Sequence, residues 1–127
     1  MVIGLLPLAL LLFAVGIVPD AAFPLVWVAP PALLVCIAVL RGERHVLSGI
    51  GSGDWRSPVS SALAALVCGF FWELWNFGCI AKWVYDIPYV NPLHVFEMPL
   101  LGYAGYLPFG MLCAEIGDFI VGFVREE

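Results

Sequence analysis

A chain of 127 residues that is 63% hydrophobic, with a mean hydropathy of +1.03, carries only 12% charged residues. Soluble domains run at roughly 45–50% apolar and about 25% charged, so too little charge is present to coat a water-facing surface, and lipid is the expected surroundings. The net charge of −5, with Arg41, Arg44, Arg56, Lys82 and Arg125 as the five basic residues, excludes the basic patch that nucleic-acid binding needs.

The first apolar run, 2–18, has no Lys or Arg before it. A signal peptide carries a basic leading region, so this run reads as a retained transmembrane helix, and Pro19-Asp20 as the turn that ends it. The second run, 24–40, holds Pro30-Pro31, which predicts a kinked helix. Residues 41–57 are the most polar stretch, with three of the five basic residues and Gly49, Gly51 and Gly53, and read as a cytoplasmic loop. Ser57-Pro58 then reads as an N-cap followed by proline in the first helical turn.

The third run, 58–83, is the longest and carries Glu73 and Asn76 between tryptophans. Residues 84–98 mix Pro88 and Pro92 with tyrosines, His94 and Glu97, which predicts an irregular segment at the membrane surface. The fourth run, 99–124, includes Pro108. Together these form one all-α domain, 1–127, an integral membrane bundle of about four transmembrane helices with proline kinks. Four spans place both termini and the 41–57 loop on one side with Arg41, Arg44, Arg56 and Arg125, and only Lys82 on the other. The positive-inside tendency makes the arginine side cytoplasmic. Long unbroken apolar runs exclude a transmembrane β-barrel, whose strands alternate with period two.

Candidate functional residues concentrate between Gly69 and Asp118. Helical spacing sets Gly69, Glu73, Asn76 and Ile80 on one stripe flanked by Trp72 and Trp75. A carboxylate at the depth of Glu73 costs several kcal/mol if charged and unpaired, so it reads as a partnered polar group that fixes helix packing, or as a functional acid. Gly110 and Ala114 form a small-x-x-x-small pattern for close helix approach. Glu115 and Asp118 share a face, and with Glu97 and Glu73 they suggest acids stepped across the membrane.

Other chemistries lack their residues. The His94-x-x-Glu97 spacing is a weak metal signal, better read as interfacial hydrogen bonding, and neither His45 nor His94 has company that marks a tetrapyrrole site. No metal and no cofactor are expected. Ser60 and Ser61 have no partnering His and no G-x-S-x-G. Gly49-Ile50-Gly51-Ser52-Gly53 lacks the lysine of a phosphate loop. Cys36, Cys68, Cys79 and Cys113 form no C-x-x-C and read as packed thiols.

The residues Gly53-Asp54-Trp55-Arg56, Trp72-Glu73-x-Trp75-Asn76, Lys82-Trp83-x-Tyr85-x-x-Pro88, Phe96-Glu97-Met98-Pro99-Leu100-Leu101-Gly102-Tyr103 and Gly105-Tyr106-Leu107-Pro108-Phe109 form a pattern of rare residues at fixed offsets over nearly half the chain. This stretch resembles a group of uncharacterised bacterial multi-span membrane proteins. The resemblance implies a polytopic protein of the bacterial inner membrane and implies no activity. In that pattern a glutamate stands three positions after Pro-Phe, where this chain has Leu112, with Glu115 one turn on. A fainter likeness to membrane lycopene cyclases carries no residues across.

The reading that follows is a non-catalytic integral membrane protein, an accessory or structural subunit of a larger membrane complex, with lipid and other subunits or copies of itself as partners. Two alternatives stand beside it. One is a membrane enzyme acting on an isoprenoid or lipid, with Glu73 and Glu97 as acid and base. The other is a proton or cation conduit along the stepped acids.

Overall fold

The computed structural model describes residues 24–87 and 89–125, together with Pro7 and Leu10. The expected first helix and the Pro19-Asp20 turn otherwise lie outside the described residues. The described part is mostly helical. Helix α1 spans Leu25–Arg41, α2 spans Arg56–Gly78 and α3 spans Tyr106–Arg125. Between α2 and α3 lie a minimal antiparallel hairpin, β1 (His94–Val95) with β2 (Met98–Pro99), and a 3-10 turn over Leu100–Gly105.

Among the described residues, two helices are long and apolar enough to cross a membrane: Arg56–Gly78, and the continuous stretch Leu100–Val124. The apolar helix α1 is shorter, 17 residues, about 25 Å at the usual rise per residue. It runs without interruption through Pro30 and Pro31. Gly42 closes it in the left-handed conformation (φ 71°), its N–H donating to the Val39 carbonyl and that of Glu43 to the Ala38 carbonyl.

The packing order differs from the chain order. Helix α3 lies between the other two, with few contacts joining α1 to α2 directly. It runs antiparallel to α2: Tyr106 lies on Gly69, and Gly110 lies on the backbone of Ser61. It runs parallel to α1, with Trp27 at Gly105 and the Arg41 guanidinium 5.0 Å from the centre of the Phe119 ring. At Gly69 an added Cβ would sit 2.6 Å from the Tyr106 ring, and at Gly110 it would collide with the Ser61 carbonyl. Glycine at these two positions is what lets the helices touch.

Several sequence expectations are corrected. Helix α2 begins at Arg56, not Ser57-Pro58, and Ser57 caps nothing. Asp54 instead takes the Arg56 N–H at 3.0 Å and the Arg56 guanidinium at 2.9 and 2.7 Å. That guanidinium holds the Asp54 carboxyl below its ordinary range. Helix α2 ends at Gly78 rather than near Trp83, because Asn76 captures the backbone of Trp83 and turns the chain back. Ile80 therefore leaves the helical stripe and is fully exposed. Pro108 falls in the first turn of α3, where no intrahelical N–H bond is lost. Of the cysteines, Cys36 is buried, whereas Cys68, Cys79 and Cys113 face outward.

Candidate functional site

The polar centre of the molecule is built on Glu73, five residues before the end of α2. Its exposure is 0%, the lowest of any charged residue described. Oε1 accepts two hydrogen bonds, from the Tyr85 hydroxyl at 2.8 Å and from the Tyr106 hydroxyl at 2.9 Å. Tyr106 belongs to α3 and Tyr85 to the returning segment, so one oxygen joins three parts of the chain. The Tyr85 oxygen also accepts from the Trp83 indole N–H at 2.6 Å. Oε2 is buried and has no partner among the described residues. Burial, then the bond to Glu73, push the Tyr85 phenol up to about 12, because both oppose a second negative charge beside the carboxyl.

One turn further along α2, Asn76 supplies the geometry that brings Tyr85 back. Its amide nitrogen donates to the Trp83 carbonyl at 2.9 Å, and its amide oxygen accepts the Trp83 N–H at 3.1 Å. The side chain thereby imitates a strand partner and satisfies both backbone groups of one residue. The Trp83 ring lies 5.7 Å from that of Trp72.

A second fastening holds the hairpin. Phe96, at the first position of its two-residue turn, has φ 60°, a conformation that costs a non-glycine residue roughly 1–2 kcal/mol. Its ring docks between Phe70 and Phe77 of α2, at 5.4 and 5.6 Å between centres, and this packing offsets the backbone cost. Glu97, next in the turn, forms a short ion pair with Lys82, which also stands 5.1 Å from the centre of the Phe77 ring. Glu97 therefore pairs with Lys82 rather than with His94, which is exposed on β1.

Gly69, Glu73 and Asn76 are buried together on the predicted stripe. Trp72 and Trp75 turn outward, Trp75 to 66% exposure. On α3, Gly110 is buried against α2 and Ala114 is half-buried. Glu115 is 4% exposed and far from Glu73: one oxygen takes the Val46 N–H, pinning the 42–55 loop to α3. Since Gly110 meets Ser61, Glu115 is level with the start of α2, about 25 Å from Glu73 along the bundle. The small residues Ser61, Ala62, Ala65 and Gly69 lie between.

Sequence reasoning missed Tyr85 and Tyr106. Their signal was present in the requirement that a buried carboxylate find donors. Neither Glu73 nor Glu97 lines either of two cavities. One, of about 450 Å³, is an apolar hollow beside Leu66, Phe70, Leu100 and Tyr103; the other, of about 470 Å³, lies at the opposite end beside Glu115. Comparison with protein families, with curated proteins and with solved structures finds no match.

Proposed function

We propose that this chain is a non-catalytic integral membrane protein that serves as an accessory or structural subunit of a larger membrane complex, a role in keeping with the resemblance to multi-span bacterial proteins. One observation carries the reading. Only 22% of the most apolar stretch of Arg56–Gly78, and 11% of that of Leu100–Val124, is buried within the chain. The remaining surface of α2 is lined with exposed Phe71, Trp72, Trp75 and Phe77, the large aromatic residues that anchor interfaces between subunits. The polar residues meanwhile are spent on internal fastening.

The alternatives draw less support. An enzyme working through Glu73 and Glu97 needs both carboxyls on one lipid-accessible cavity, and Glu73 is sealed by two tyrosines while Glu97 is held by Lys82. A conduit needs polar groups between Glu73 and Glu115, where small packed residues stand instead. The cytoplasm is assigned to the side of the 42–55 loop and the end of α3, following the arginines, and the membrane to the bacterial inner membrane.

The test is a photo-crosslinking amino acid placed at Trp75 in cells, followed by native mass spectrometry of the mild-detergent extract. A defined membrane-protein adduct, matched by a complex of fixed stoichiometry, is the expected result. Crosslinks to lipid alone with a monomeric extract overturn the reading.

A further inference from the structure

The cavity of about 470 Å³ lies between α1, the 42–55 loop and the second half of α3, within the range of about 300–1,000 Å³ typical of small-molecule sites. Its wall is divided by chemistry. Leu34 and Ala38 of α1 supply apolar lining that continues along that helix away from the loop, whereas Arg44, His45, Glu115 and Asp118 supply polar groups.

The charges do not cancel internally. Glu43 and Asp54 also reach this space, but Arg41 (2.6 Å) and Arg56 (2.7 Å) neutralise them. Glu115 and Asp118 have no cationic partner within 4.0 Å among the described residues, and Arg44 has no anionic one. Glu115 is more than nine-tenths buried. Its one bonded oxygen is committed to Val46, and its second oxygen has no partner among the described residues. His45 Nδ1 is buried and has no partner among the described residues. The cavity therefore presents two carboxylates and a guanidinium beside Ser57, at the start of α2.

We propose that this cavity binds the headgroup of an aminophospholipid, phosphatidylethanolamine, from the adjoining leaflet. The primary ammonium donates to Glu115 and Asp118, the phosphate accepts from Arg44 and from His45 Nδ1 in its protonated tautomer, and an acyl chain follows Leu34 and Ala38 along α1. A purely anionic headgroup would meet two carboxylates, and a quaternary ammonium offers no N–H to the free Glu115 oxygen. A simple cation would leave Arg44 uncompensated. This site stands whether or not the chain joins a larger complex.

The experiment uses the full chain, purified in mild detergent and delipidated, with phosphatidylethanolamine, phosphatidylglycerol and phosphatidylcholine of identical acyl chains in native mass spectrometry. Phosphatidylethanolamine is expected to bind at least about fivefold more tightly than either, a difference of about 1 kcal/mol. Glu115→Gln keeps an acceptor for Val46 and removes the charge; Arg44→Gln lies on an exposed loop and leaves the helices intact. Each is expected to bring phosphatidylethanolamine down to the level of phosphatidylcholine. Equal binding of the three lipids, preference for phosphatidylglycerol, or unchanged binding by Arg44→Gln overturns the proposal. So does occupation by free phosphoethanolamine with no lipid retained, which would give the same chemistry to a soluble ligand.

Discussion

Replacing Tyr106 by Phe isolates what the Glu73 centre contributes to stability. The ring that lies on Gly69 remains, so no cavity opens, and the loss is one hydroxyl donating at 2.9 Å to a carboxyl of 0% exposure. A hydrogen bond nets about 0.5–1.5 kcal/mol and one to a charged group about 1.5–3, while side-chain bonds inside membranes average about 0.6. Taken together these give a cost of about 1–2 kcal/mol for Tyr106→Phe. Tyr85→Phe removes a donor at 2.8 Å and also the acceptor of the Trp83 indole at 2.6 Å, so it should cost more, about 2–3 kcal/mol. Because both hydroxyls serve the same oxygen and Oε2 has no described partner, the double variant strands the carboxyl without a donor. Its cost should exceed the sum of the single changes, a coupling of about 1 kcal/mol or more. Reversible unfolding in mixed detergent and dodecyl sulfate micelles, followed by tryptophan fluorescence, measures all four corners of the cycle. A double variant that is merely additive, or a Tyr106→Phe protein within about 0.5 kcal/mol of the parent, refutes the reasoning.

Three further outcomes follow from the geometry. Gly110→Ala should destabilise by about 1–3 kcal/mol through collision with the Ser61 carbonyl, while Gly117→Ala, which meets nothing within 4 Å, should be tolerated in the same assay. At Phe96 both truncations lose the docked ring, but Phe96→Gly should be the more stable by about 1 kcal/mol, because alanine keeps the cost of φ 60°; a more stable alanine variant would deny that the turn is strained. The Tyr85 phenol, raised to about 12, favours the folded state fully below its ordinary value near 10 and loses that contribution as pH rises to about 12. An alkaline unfolding titration should therefore show a loss over that interval that is smaller in Tyr85→Phe, and identical curves would remove the assignment.

Those elements whose cause is local could be read from the amino acids. The apolar runs that became α1, α2 and α3 announced themselves by length, and Gly69, Glu73 and Asn76 by their helical spacing. Boundaries failed where a side chain from elsewhere decided them. Nothing in the run through Trp83 forbids helix, since the stop at Gly78 comes from Asn76 gripping a residue seven positions on. At the start of α2 the cause was local but of another kind: Asp54, two residues before Arg56, takes its N–H and guanidinium, and Ser57 caps nothing. Tyr85 and Tyr106 were hidden because hydroxyl partners 12 and 33 residues from Glu73 have no periodicity to betray them. The pairing of Glu97 with Lys82 rather than His94 is equally a matter of folded proximity.

The central position of α3 bears on how the chain is made. Synthesis produces α1 and α2 before their common neighbour exists, and few contacts join the two. During that interval Glu73 lacks the Tyr106 hydroxyl and Gly69 lacks the ring that covers it. The contacts that join these three helices therefore wait for the third to be made. A nascent chain halted before Tyr106 would leave Tyr85 as the one described donor to Glu73, on a helix face whose partner has not yet been made.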